Sequence, residues 1–217
     1  MQVILFDLDG TLIDSTEAII GGFCAAFERH NHRRPLQEAV CALIGHPLDV
    51  MFSQLGVAPE KVQDYVSAYK EHYRVVSKPQ TTLLPTAREA IALAHSFATL
   101  GVVTTKTSRY SRELLEHMGV MHYFDVLIGR EDVTHPKPHP EPVLRALEAL
   151  GGMKASSWMV GDTCMDMMAA KEAGICGVAV TCGYGVLSHL EACASHVTIS
   201  PIEAVEKILK LSRNDTN

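Results

Sequence analysis

An α/β fold is predicted for this chain: a parallel sheet with helices on both faces, plus an all-helical domain inserted after the first strand. Three observations predict it. Five short apolar or β-branched runs, at Val3–Phe6, 100–104, Val126–Ile128, 158–160 and 177–180, have the length and texture of strands buried on both faces. Between the later runs lie helix-patterned stretches, 109–118, Glu141–Leu150 and 165–173, each followed by a glycine suited to closing a helix. Alternation of this kind makes parallel crossovers. The third observation is an interval that breaks the rhythm. Between Phe6 and Leu100 no second strand of comparable quality appears, which is far more chain than a crossover needs.

Taken in order, the first strand is followed by helical patterns. Ala18, Ile19, Gly22, Phe23, Ala26 and Phe27 fall on one helix face. Stretches 36–43, 48–55 and 60–76 follow, broken at Pro35, at Gly45-His46-Pro47 and at Pro59. Only 87–98 has the place of a crossover helix. The expected division is therefore a sheet core of residues 1–13 and 83–217 and a helical cap of residues 14–82. The cap leaves the core beside two carboxylates, Asp7 and Asp9, and is expected to act as a lid hinged near Asp14 and Thr82. The polar tail 212–217 is expected to fray.

Composition narrows the function. With 217 residues, 47% hydrophobic and 20% charged, the chain has ample material for a core. A net charge of −6 speaks against a nucleic-acid surface, and the Arg33-Arg34 pair reads as a solvated helix end. No apolar run approaches the roughly 20 residues that cross a bilayer, and no basic segment precedes Val3–Phe6 to make a signal peptide. Six cysteines without CxxC spacing read as small hydrophobes in a reduced, cytoplasmic protein, with neither a disulfide framework nor a zinc site expected. A monomer or weak homodimer is expected.

In open parallel sheets, ligands bind beyond the carboxyl ends of the strands. There the first strand runs into Asp7-Leu8-Asp9-Gly10, and the second into Thr104-Thr105-Lys106. The fourth runs into Gly161-Asp162, with Asp166 four residues on, and the loop after the third carries His135-Pro136-Lys137-Pro138-His139-Pro140. Taken singly, Asp162 could cap the next helix, Thr104 is an ordinary strand residue and Lys137 suits a solvated loop. Together at one sheet edge they fit phosphoryl transfer through a phospho-aspartate. Clustered carboxylates call for a cation, and an all-oxygen site beside phosphate suits Mg2+. One carboxylate can attack phosphorus while another protonates the departing oxygen. A hydroxyl, a lysine and backbone N–H groups then hold the phosphoryl oxygens, and Gly10 lets the backbone turn sharply beside them.

These residues resemble the four motifs of the haloacid dehalogenase-like phosphatases. Asp7-Leu8-Asp9-Gly10-Thr11-Leu12-Ile13-Asp14-Ser15 is similar to the first, Val102-Val103-Thr104 to the second, Lys137-Pro138 to the third and Gly161-Asp162-Thr163-Cys164-Met165-Asp166 to the fourth. The resemblance spans essentially the whole chain. It implies a Rossmann-like core, with Asp7 as nucleophile and Asp9 as general acid and later base. It also implies phosphoryl contacts from Leu8, Asp9, Gly10, Thr104, Thr105 and Lys137. Mg2+ would be held by Asp7, the Asp9 carbonyl and Asp162. Asp166 is the fourth residue of the metal site, expected to hold the metal's waters or orient Lys137, with direct ligation ranked behind these.

A small phosphorylated metabolite is the expected substrate. Thr181-Cys182-Gly183-Tyr184-Gly185 looks slightly more like phosphoglycolate phosphatases than the related pyrophosphatases, so 2-phosphoglycolate is expected first and pyrophosphate next. A phosphotransferase like β-phosphoglucomutase ranks behind, because Thr11 looks more like the hydrolases. A receiver-type signalling domain would be shorter and would need neither Asp-x-Asp nor an insertion. Gly45, His46, Arg33 and Arg34 are candidate specificity residues in the cap. Gly21-Gly22 suit either substrate room or helix packing. Lys106 and Arg109 are candidate partners for a substrate carboxylate or plain surface charges.

Overall fold

The structure is a computed structural model and describes residues 2–214. In chain order the strands are β1 (Val3–Phe6), β2 (Ile13–Asp14), β3 (Thr82–Leu83), β4 (Thr99–Val103), β5 (Val126–Ile128), β6 (Ser157–Gly161), β7 (Cys176–Val180) and β8 (His196–Thr198). The α-helices are α1 (Thr16–Arg29), α2 (Gln37–Cys41), α3 (Leu48–Gln54), α4 (Val62–Val76), α5 (Ala87–His95), α6 (Ser108–His117), α7 (Glu141–Leu150), α8 (Cys164–Ala173), α9 (Leu187–Cys193) and α10 (Pro201–Asn214).

Six strands form one parallel sheet in the order β5-β4-β1-β6-β7-β8. The period-2 alternation of β1 explains its two coats. Ile4 and Phe6 pack with side chains of α5, α6 and α10, while Val3 and Leu5 pack with α7 and α8. From β1 the chain winds outward through β4 and β5, then returns to the other flank of β1 at β6. The topological switch point therefore lies between β1 and β6. Phe6 stands opposite Val160, and the Asp7 N–H donates to the Val160 carbonyl at 2.9 Å. Register alone thus brings the residues that follow these two strands together.

By its contacts the chain divides into two compact units, residues 1–14 with 83–217 and residues 15–82. The second is helical as far as the start of β3 at Thr82 and has its own aromatic core, in which Phe23 meets Phe52 at 4.5 Å and Tyr69 at 5.2 Å between ring centroids. A Cβ on Gly22 would sit 2.5 Å from the Tyr69 ring, so this glycine serves close packing of α1 on α4 rather than room for a substrate. The chain leaves the sheet unit along β2 and returns along β3, which pair as a two-stranded ribbon, and the Leu84 N–H donates to the Leu12 carbonyl at 2.9 Å.

Several expectations need correction. The edge strand β8 and the helices α9 and α10 were not foreseen. β8 is three half-buried residues, too short for a periodic signal, whereas Ile202, Val205, Ile208 and Leu211 did carry a helical rhythm. Residues 212–214 continue α10 rather than fray, and 215–217 lie outside the described residues. A disulfide joins Cys164 at the start of α8 to Cys193 at the end of α9, against the expectation of reduced cysteines only. The packing of α8 beside α9 brings the two Cα atoms to 5.8 Å across 29 residues of sequence, a pairing that local spacing does not announce. Of the cysteines outside the disulfide, Cys176 is exposed and Cys24, Cys41 and Cys182 are half-buried, so none is the fully buried hydrophobe expected. Among the described residues, no helix is long and apolar enough to cross a membrane.

Candidate active site

Asp7 stands one residue past β1, Asp162 one past β6, and Asp166 in the first turn of α8; oxygens of all three lie within 4.8 Å of one another. Lys137, from the loop after β5, comes into the same cluster. Its ammonium donates to Asp7 Oδ1 at 2.8 Å, to Asp166 Oδ1 at 2.5 Å and to the Val103 carbonyl at 3.0 Å, using three donors on three oxygens. All four residues are buried. Burial alone would pull the lysine's proton off, but Asp166 and then Asp7 outweigh it and hold the ammonium charged.

The carboxylates behave in the opposite way. Burial, with Asp166 and Asp9 in the same direction and against Lys137, pushes the Asp7 carboxyl up to about 7. Asp162 is pushed well above the usual carboxylate range by its burial, then by Asp7 and Asp166. One ammonium does not balance three buried acids, and the donors around the shortfall are oxygens. That is the electrostatic condition a hard divalent cation relieves.

Asp162 is held by residues that the sequence reading gave no part in it. Thr11 Oγ1 donates to its Oδ1 at 3.1 Å, and the Tyr184 N–H donates to its Oδ2 at 2.8 Å. Gly10 has φ +78°, in the left-handed region, and a Cβ there would lie 2.3 Å from Asp162 Oδ2. A Cβ on Gly183 would lie 2.2 Å from the same oxygen and 2.4 Å from the Gly10 carbonyl. The 183–185 segment is thus a cradle for Asp162. Asp166 is spent differently: its Oδ2 accepts from the Thr163 N–H at 3.0 Å and the Thr163 hydroxyl at 2.7 Å, capping α8, while its Oδ1 faces Lys137.

Asp9 lies outside this triad and meets a second lysine. Lys106 Nζ is 3.1 Å from Asp9 Oδ2, with the two side chains 10% and 12% exposed. Thr104, buried at the end of β4, accepts the Lys106 N–H on its hydroxyl at 3.2 Å, and Thr105 follows half-buried. Leu8 packs its side chain in the core, and its carbonyl accepts from the Leu12 and Ile13 N–H groups, closing the loop between Asp9 and β2. Arg109 is an exposed partner of Glu113. In the helical unit Arg34 pairs with Glu28 on the surface, Arg33 is exposed, and Gly45 and His46 form the turn before α3.

His135, His139 and Glu141 make a second cluster that could ligate a metal. Its groups have structural work instead. Glu141 accepts the Thr134 and His135 N–H groups at 2.9 Å each and His135 Nδ1 at 3.0 Å, and its own N–H faces His139 Nδ1 at 3.1 Å. Those backbone bonds hold the Glu141 carboxyl down at about 2 and fold the loop that presents Lys137.

A family profile described as haloacid dehalogenase-like hydrolase matches residues 4–180. The chain is 36% identical to the probable phosphatase IndB of Dickeya dadantii, over 97% of this chain and 96% of that one. It is 38% identical to the pyrophosphatase PpaX of Bacillus velezensis, over 80% of each. Its fold is similar to that of a haloacid dehalogenase-like family hydrolase of Streptococcus pneumoniae, with a TM-score of 0.86 and 25% identity over 95% of this chain and 98% of that chain.

Proposed function

The chain belongs to the haloacid dehalogenase-like hydrolase family, and from that premise we propose that it is a Mg2+-dependent phosphatase working through a phospho-aspartate on Asp7. The observation that carries the reading is Lys137 between Asp7 and Asp166, with Asp162 alongside, at the switch point of the sheet. Asp7, Asp162 and the Asp9 carbonyl would hold Mg2+, which when bound would neutralise the acids and the transferring phosphoryl group.

Asp7 attacks phosphorus through a carboxylate oxygen, and the bond from phosphorus to the leaving oxygen breaks. Asp9 supplies a proton to that oxygen. Water then attacks the phosphorus of the acyl phosphate, giving its proton to Asp9, and inorganic phosphate departs with Asp7 restored. Lys137 compensates the charge on Asp7 and the phosphoryl oxygens. Thr104 and the N–H groups of Leu8, Asp9 and Thr105 hold those oxygens, whereas the Gly10 N–H, expected from the sequence to join them, is spent on the Ile13 carbonyl at 2.9 Å. Asp166 orients Lys137, since both its oxygens are already engaged. Residues 15–82 are assigned as the cap.

For the substrate we place pyrophosphate before 2-phosphoglycolate, the reverse of the sequence ranking. The 183–185 segment that favoured 2-phosphoglycolate is spent on Asp162, so it says little about substrate, and the relative from Bacillus velezensis is named a pyrophosphatase. The test is phosphate release with Mg2+ across pyrophosphate, 2-phosphoglycolate, hexose phosphates and nucleotides, with EDTA as control. Pyrophosphate should be turned over fastest, and Asp7→Asn should lower turnover by at least about a thousandfold without unfolding. No release from any substrate, or an active Asp7→Asn enzyme, would sink the reading.

A further inference from the structure

Two lysines serve the two acids of the Asp-x-Asp pair, Lys137 at Asp7 and Lys106 at Asp9. Lys137 is saturated by Asp7, Asp166 and the Val103 carbonyl. Lys106 is built in just as firmly at its backbone: its N–H donates to Thr104 Oγ1 at 3.2 Å, and its carbonyl accepts the Arg130 N–H at 3.0 Å. A Cβ on Gly129 would lie 2.7 Å from that carbonyl, so the turn is closely packed as well. The side chain then runs inward, 10% exposed, to Asp9. Lysine is rarely hidden to this degree unless its charge is used.

We propose that Lys106 is the specificity residue for a negatively charged leaving group. This rests on the phosphatase reading above, in which Asp9 faces the leaving oxygen. An ammonium 3.1 Å from Asp9 Oδ2 then stands within a few bonds of whatever departs. A terminal phosphate or a carboxylate there accepts a charge-assisted hydrogen bond from Nζ, while an uncharged alcohol gains little. Lys137 stands on the Asp7 side of the pair and Lys106 on the Asp9 side, so the charge that recognises the departing half comes from Lys106, and the substrate class is phosphoric anhydrides and esters with an anionic leaving group.

The matched pair for the test is 2-phosphoglycolate and 2-hydroxyethyl phosphate, alike in size and different in one charge, with pyrophosphate alongside. Lys106→Met should lower kcat/KM for 2-phosphoglycolate and pyrophosphate by about 10- to 100-fold more than for 2-hydroxyethyl phosphate, and Lys106→Arg should restore most of the preference. Equal losses on both esters, or an unchanged ratio, overturn the assignment and leave Lys106 as a support for Asp9. The same ratio is read as Kd by calorimetry in an Asp7→Asn background, where nothing turns over. A wild-type protein that hydrolyses no phosphate but shows the Lys106-dependent binding preference would fail the phosphatase reading and keep this one. Absence of the binding preference would overturn it.

Discussion

Asp7 carries a pH dependence with a definite sign. Its carboxyl titrates at about 7 in the folded protein and near 4 once exposed, so between those values the folded state binds more protons than the unfolded one. Stability of the cation-free protein should therefore fall as pH rises from about 4 to about 7, and Asp162, shifted the same way, adds to the fall. A cation favours the ionised acids, so the rise in Tm on adding Mg2+ over EDTA should be larger at pH 8 than at pH 5. Equal rises would mean that the acids are ionised without it. Thr11 makes a second test at this scale. Thr11→Val keeps the shape and removes the hydroxyl that donates to Asp162 Oδ1, so the Mg2+ concentration for half-maximal activity should rise about tenfold. An unchanged Mg2+ dependence would deny Thr11 that part. Asp7, Lys137 and Asp162 were legible in the sequence because each follows a strand in a recognisable order. Thr11 and the pairing of Lys106 with Asp9 were not, because they depend on which strand ends become neighbours.

Among the elements, β1 and β6 decide the site, and the turn after β7 completes it. The strands were readable as short apolar runs because both faces are buried. Their order was not, since parallel strands of similar composition carry no label for their neighbours. The 183–185 segment shows the consequence. As a string it looked like a substrate signature, and in the fold it is a brace for an acid. Gly183→Ala would place a Cβ 2.2 Å from Asp162 Oδ2 and 2.4 Å from the Gly10 carbonyl, both fixed parts of the site. It should weaken the apparent Mg2+ affinity by about tenfold or more and lower activity at limiting Mg2+. A variant with wild-type Mg2+ dependence would show that the cradle yields without cost. Helix α8 is coupled to the site by one residue, since Asp166 accepts the Thr163 N–H of its capping box on one oxygen and the Lys137 ammonium on the other.

At the scale of the whole molecule, the two units differ in what they hold. Asp7, Asp9, Lys106, Thr104, Lys137, Asp162 and Asp166 all belong to residues 1–14 and 83–217, and that unit has its own buried clusters. The helical unit buries aromatic rings against one another, Phe27 against Tyr65 at 5.2 Å among them. The interval without strands marked this insertion in the sequence, because a crossover of that length has no use in a sheet of this kind. Excision is geometrically simple: the Leu84 N–H and the Leu12 carbonyl are 2.9 Å apart, so a linker of about four Gly and Ser residues can join the ends. The joined core should unfold cooperatively and bind Mg2+ nearly as tightly as the full chain, because every group proposed to hold the ion is retained. Turnover of pyrophosphate should fall by at least about 100-fold, since the cap proposed for residues 15–82 would close the site against water and commit the substrate. Thermal unfolding, Mg2+ calorimetry and phosphate release on the excised core measure the three separately. Full activity without residues 15–82 would remove the cap from the mechanism, and loss of cooperative folding would mean that the two units stand or fall together.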